Sequence, residues 1–348
     1  MGLIMVGLGG ASYREEYVTS VQGQLFLDGA PFRFGGLNVW NAATDFSESA
    51  RFCGDPSNLD VDASSFGPGV QVVRTWFFQR LATTSDGRRD WSGLDGIVAA
   101  ARRHRLKIIA VLGNQWADCE GYPSAEAGYK TDAWYRAGYR DAPPPGQPAT
   151  YREWVREVAE RYRHDPTIMI WQLVNEPEPG ASLGGACPPS AAGLLRNFTA
   201  DVGGLLHAVD PYHLVSVGTA GSGQCGAVDR EWEALHRLPV VDVAEYHDYA
   251  VEELPGDRWN GLAARLRQAA ALGKPLIVGE MGVRADRVGG VDERGAVIGR
   301  KIAAQERAGV AGVLLWSWRG GSAGGSGASG YEIGPGDPAL KYLDLASN

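Results

Sequence analysis

Short apolar runs recur along the chain, separated for the most part by stretches whose apolar residues fall at helical spacing. FRFGGLNVW (32–40), QVVRTWFF (71–78), LKIIAVLGN (106–114) and TIMIWQLVNEP (167–177) read as strands. HLVSVGT (213–219), VVDVAEYH (240–247), KPLIVGEMG (274–282) and AGVLLWSW (311–318) continue the series to eight. These runs are continuously apolar, as expected of strands covered on both faces of a parallel sheet. In 91–104, Leu94, Ile97, Val98 and Ala101 fall at i, i+3, i+4, i+7, the spacing of a helix with one apolar face. The same pattern places helices at 151–162, 191–209, 258–272 and 292–308. Between the first two strands only 57–66 leaves room for one, and it is poorly marked.

Eight strand–helix units predict an α/β fold, a single (β/α)8 TIM barrel with long βα loops. An open doubly wound sheet is the alternative, but no GxGxxG follows the first strand. Residues 1–31 read as an N-terminal segment and β-hairpin packing on the barrel, with Asp28-Gly29 as its turn, and 32–348 as the catalytic domain. The Gly/Ser-rich stretch 319–330 reads as a flexible loop.

Composition narrows the function. The chain has 348 residues and a formal net charge of −8, which disfavours nucleic acid as a partner. With 44% hydrophobic residues it can fill a core, and no run of about 18 apolar residues suggests a membrane span. The expected state is a monomer. Cys53, Cys119, Cys187 and Cys225 form no metal-ligand spacing, and the six His form no HExxH, so neither metal nor cofactor is expected. All four Cys lie in loops that follow strands. Pairing Cys187 with Cys225 joins adjacent loops, and Cys53 with Cys119 follows by elimination. Four free thiols in a cytosolic protein is the alternative; two bridges imply secretion to an oxidising compartment. The apolar start MGLIMVGLGGA is compatible with a trimmed signal peptide but lacks a basic start. A GxSxG match at 320–324 lies in the Gly/Ser stretch, not on a strand–turn–helix, and supports no serine hydrolase.

In such a barrel the chemistry sits at the C-terminal ends of the strands. Those ends carry Trp40, Asn41, Arg74, Trp76, Asn114, Trp116, Asn175, Glu176, His247, Tyr249, Glu280, Trp316 and Trp318. Indoles that stack on sugar rings, amides and Arg that bond hydroxyls, and two carboxylates make a sugar-cleaving set. Glu176 ends the fourth strand and Glu280 the seventh, so both should face one pocket. Retaining glycoside hydrolysis needs such a pair: one carboxyl protonates the leaving oxygen while the other attacks the anomeric carbon. The two carboxyl groups should then stand about 5–5.5 Å apart. Glu178 and Glu245 have no matching partner motif and read as ordinary polar positions.

In order along the chain, VVRTW, TIMIWQLVNEPEP, YHDY, PLIVGEMG and LLWSW resemble the motifs of glycoside hydrolase family 5, in clan A. The resemblance covers residues 32–318. It implies Glu176 as acid/base and Glu280 as nucleophile, with Asn175 bonding the 2-hydroxyl of the −1 sugar. It further implies that His247 and Tyr249 orient the carboxylates, that Arg74 positions Glu280 and keeps it ionised, and that Trp316 floors the −1 subsite. VLGNQW, ending in Asn114 and Trp116, looks like the endo-β-1,4-mannanase branch, although Met281 stands where that branch commonly has an aromatic. A polysaccharide or oligosaccharide partner, β-1,4-mannan first, is therefore expected. β-Glucan cleavage, an exo-β-glycosidase and a silent carbohydrate-binding barrel are the alternatives. The aromatic-rich connection 113–150 is expected to wall the cleft.

Overall fold

The computed structural model describes residues 16–43, 53, 58–320 and 330–345. The leader-like start, the GxSxG match and most of the Gly/Ser stretch lie outside them. Three short antiparallel strands, β1 (Thr19–Val21), β2 (Gln24–Leu27) and β3 (Ala30–Pro31), come first. This corrects the single expected hairpin: Gln22-Gly23 makes a second two-residue turn before Asp28-Gly29. Both residues of each turn have positive φ (49° and 80°, 54° and 75°), the conformation of the tight turns that match strand twist. Gln22 carries no turn signature of its own, so the first turn was hidden.

The barrel strands follow as β4 (Phe34–Asn38), β5 (Val70–Trp76), β6 (Lys107–Val111) and β7 (Ile168–Gln172). Then come β8 (Leu214–Ser216), β9 (Ala244–Asp248), β10 (Leu276–Met281) and β11 (Gly312–Leu315). Neighbours pair in parallel in the order β8-β7-β6-β5-β4-β11-β10-β9, and a bridge between Ser216 and Val243 closes the ring. Among the described residues, the helices that carry the chain from each barrel strand to the next are α1 (Leu59–Asp62), α2 (Ser92–Arg103), α3 (Tyr151–Tyr162), α4 (Ala191–Val209), α5 (Arg230–His236), α6 (Leu262–Leu272) and α7 (Val291–Arg307). Shorter helical turns lie at Ala125–Gly128, Tyr139–Asp141 and Ala285–Val288. The sequence pattern missed α5. Its seven residues give only Trp232 and Leu235 at helical spacing, too few for a periodic signal.

Side-chain alternation sorts the strands into three environments. Leu37, Val73, Ile108, Val215, Val278 and Val313 face outward into a core shared with Leu94, Ile97, Trp154 and Val155 of the helices. Phe34, Val72, Ile170, Leu214, Ile277 and Leu314 fill the lower barrel, joined by Val18, Leu25 and Phe32. The N-terminal meander therefore plugs the mouth opposite the strand ends. One turn of the alternation higher, the inward residues become polar: Asn38, Arg74, Gln172, Ser216 and Glu245, all buried. That polar layer is the floor on which the site stands.

Candidate active site

Each functional side chain is held by a strand end or the residue just beyond it. Glu176 follows β7 in a left-handed backbone conformation (φ 53°), costly for a non-glycine residue and retained where the surroundings over-determine it. Its amide donates to the Gly218 carbonyl at 2.9 Å, while the Asn175 amide donates to Gly113 at 2.7 Å. On β10 the register shifts between Val278 and Glu280, and this irregularity brings Glu280 opposite His247 of β9.

The two carboxylates meet over the barrel axis. One oxygen of Glu176 and one of Glu280 lie within 4.8 Å of each other and of a His247 ring nitrogen. Glu176 accepts from the Trp116 indole N–H at 2.8 Å and pairs with His247 Nδ1 at 2.7 Å. Glu280 accepts from the Arg74 guanidinium at 2.7 Å and from the Tyr249 hydroxyl at 2.5 Å. Arg74 donates further to Asn38 Oδ1 at 2.9 Å, to Asn175 Oδ1 at 2.6 Å and to Gln172 Oε1 at 2.6 Å. Its fork is thus anchored on Asn38 and Gln172 while it holds Glu280 and Asn175. The Asn175 amide spends one hydrogen on Asn114 Oδ1 at 3.1 Å and has another to offer a ligand.

Charge follows from these contacts. Burial works to raise the Glu176 pKa, but the bonds from His247 and Trp116 and the charge of Arg74 outweigh it and hold the carboxyl below its ordinary range. For His247, burial pulls the pKa down, while Glu280, Glu176 and Glu245 together push it up to about 10. Burial and the neighbouring Glu280 charge raise Tyr249 well above the usual phenol value, which keeps its hydroxyl a donor.

A cavity of about 600 Å³ opens over the pair, walled by the indoles of Trp40, Trp76, Trp116 and Trp316. Both Glu residues, Tyr249, Asn114 and Asn175 reach it, as do Asp118 and the Cys53–Cys119 bridge. Arg74 and His247 stand behind the carboxylates and do not line it. Trp318 departs from its expected place: it is buried edge-on against Phe66, with ring centroids 4.8 Å apart, away from the cavity. A larger cavity of about 920 Å³ lies at the opposite mouth, beside the meander, and contains none of these groups.

Both bridges form as paired in the sequence reading, Cys53–Cys119 and Cys187–Cys225. The connection 113–150 is a correction. Only its first residues, Asn114, Trp116, Asp118 and Cys119, reach the cavity, whereas Trp134, Tyr135 and Tyr139 pack around Phe198 of α4. An aromatic-rich loop this long needs an anchor, and α4 supplies it. Trp76, expected at a strand end, sits two residues after Arg74, shares its inward phase and lines the cavity. Glu245, read as an ordinary polar position, was missed.

The family model described as cellulase (glycosyl hydrolase family 5) matches residues 30–322. Mannan endo-1,4-beta-mannosidase F of Aspergillus clavatus is 26% identical over 274 residues, covering 67% of this chain and 59% of that protein. Mannan endo-1,4-beta-mannosidase 8 of Oryza sativa subsp. japonica is 27% identical over 310 residues, covering 75% and 78% respectively. The chain thus spans about three fifths of the length of the fungal relatives it matches. The fold is similar to that of an endo-1,4-beta-mannanase from Rhizomucor miehei, with a TM-score of 0.71 at 21% identity over 95% of this chain and 99% of that one.

Proposed function

The chain belongs to glycosyl hydrolase family 5, and from that premise we propose that it is a retaining glycoside hydrolase acting on β-1,4-linked mannan or mannooligosaccharides. The observation that carries this reading is the pair of carboxylates, one oxygen of each within 4.8 Å of the other, under an indole-walled cavity. Retention needs the nucleophile to reach the anomeric carbon with no water between, and a short carboxyl separation suits that demand; inversion needs a wider gap.

In the first step Glu280 attacks the anomeric carbon and Glu176 gives its proton to the departing glycosidic oxygen. In the second, Glu176 takes a proton from water, which attacks the same carbon and frees Glu280. Arg74 and Tyr249 aim the attacking carboxylate, and the free Asn175 hydrogen is placed to bond the 2-hydroxyl. Trp316 floors the sugar site, and Trp40 and Trp76 extend the stacking wall. The two bridges favour an extracellular setting, where disulfides persist.

The mannan reading rests on the named relatives and on Asn114 and Trp116 after β6. The test is reducing-sugar release on a panel of β-mannan, glucomannan, β-glucan and cellulose, with E280Q as the inactive control. Fastest turnover on mannan supports the reading, and preference for a pure glucan contradicts it. Release of single sugars from a chain end is a second reading, favoured by one observation: the Cys53–Cys119 bridge ties the loops after β4 and β6 together at the cavity wall. The sizes of the first products separate the two.

A further inference from the structure

Glu245 is a third carboxylate in the polar layer, fully buried and bonded to neither a ligand-facing group nor solvent. It accepts from the Gln172 amide, and from the Ser216 hydroxyl at 3.1 Å. One of its oxygens lies 3.7 Å from Arg74 Nε and 3.3 Å from His247 Nε2. The other ring nitrogen of His247, Nδ1, faces Glu176 at 2.7 Å and Glu280 at 3.5 Å. A neutral imidazole has one N–H and one lone pair, so it satisfies a carboxylate on one side only. His247 has carboxylate oxygens on both.

We infer that Glu245 is a positioning residue which holds His247 as a doubly protonated imidazolium, and that this fixed cation sets the pH at which Glu176 can carry its proton. The inference rests on the roles proposed above for Glu176 and Glu280. It gives the buried cluster a charge balance. With Glu176 protonated, ready to act as acid, Arg74 and His247 supply two positive charges against Glu245 and Glu280, and the sum is zero. Beyond the cluster, Asp248 on β9 is paired with Lys301 and bonded by Gln305, and Asp118 faces the cavity from the loop after β6. The buried ring of His236 on α5, which feels the charge of Glu245, is driven neutral by burial, its pKa pushed down to about 3. Tyr249 remains an uncharged donor to Glu280.

The backbone makes room for this carboxylate. At Gly279, in the irregularity of β10 one residue before Glu280, a Cβ would come within 1.9 Å of Glu245 Oε1. The glycine of PLIVGEMG is therefore coupled to Glu245, a link between β9 and β10 that neither motif reveals alone.

The direction of the pH effect is fixed by charge. Glu176 touches the imidazolium at 2.7 Å, whereas Glu245 lies across the ring from it. Replacing Glu245 by Gln keeps the shape and removes the charge, so His247 loses its proton at lower pH. His247 starts at about 10 and Glu176 is held below the ordinary carboxylate range, so His247 stays charged where Glu176 titrates. There the lost negative charge lets Glu176 give up its proton more readily, and the limb where kcat/KM falls as pH rises moves downward.

The experiment is nitrogen-15 NMR of labelled His side chains in the free 348-residue chain, with the His247 signals assigned by their loss in H247Q. The wild type should show His247 doubly protonated through pH 8. E245Q should shift its titration down by at least about one pH unit, the scale of one lost charge partner. In parallel, the basic limb of kcat/KM should move to lower pH in E245Q. A neutral His247 in the wild type at pH 8 overturns the inference even if E245Q does not fold. An unmoved limb with a uniformly lower rate in E245Q also overturns it, because that is what a merely structural role gives. The NMR readout needs no substrate, so a wrong substrate assignment cannot be mistaken for failure here.

Discussion

At the scale of single residues, Trp116 shows how a wall residue can also tune chemistry. Its indole N–H donates to Glu176 Oε2 at 2.8 Å while its ring lines the cavity. A donor to a carboxylate stabilises the charged form, so removing it raises the pKa of the acid. In Trp116→Phe the aromatic surface stays and the donor goes. The limb on which kcat/KM falls with rising pH should then move to higher pH, with a loss of kcat from poorer aim of Glu176. A profile displaced to lower pH would contradict the assignment of Glu176 as the acid. Glu176 and Glu280 were legible in the sequence because each closes a continuously apolar run, where a carboxylate has few ordinary reasons to be. Glu245 was not, because it lies two residues before His247 in a run already broken by Asp242, where only the inward alternation marks it.

At the scale of elements, the barrel was legible because eight apolar runs alternate with helix-period stretches. α3 is the clearest case: its expected and observed limits coincide, and its start carries a capping box. The Glu153 amide donates to Thr150 Oγ1 at 3.2 Å, and Glu153 Oε2 accepts from the Thr150 amide at 2.8 Å. Thr150→Ala should cost about 1 kcal/mol of stability by denaturant unfolding, and Thr150→Ser much less. Equal losses in the two variants would show that the methyl group, not the hydroxyl, matters there. α5 and the Gln22-Gly23 turn were illegible for the opposite reason: both are too short for a period to build up. Trp318 was misplaced because a strand end turns the chain. Trp316 reaches the cavity, and two residues later the ring is buried against Phe66.

At the scale of the whole molecule, the meander closes one mouth, the polar layer supports the other, and the two bridges tie down the loops around the site. The bridges span sequence separations of 66 and 38 residues. Loop closure of that size stabilises by roughly 2–4 kcal/mol for each bridge. C53S/C119S and C187S/C225S should both lower the melting midpoint, but only the first pair lines the cavity and should also raise KM. Equal effects on KM would argue that the Cys53–Cys119 loops do not bound the sugar site. Joining fold to chemistry, two strands across one barrel bring an oxygen of Glu176 and an oxygen of Glu280 within 4.8 Å, a proximity in keeping with the short carboxyl spacing that direct attack requires. The central claim is therefore retention, and proton NMR of the anomer formed first from a mannooligosaccharide tests it most directly. The account predicts that the β-anomer appears first and equilibrates slowly toward the α-form; an α-anomer appearing first would contradict it, even if both Glu176 and Glu280 proved essential.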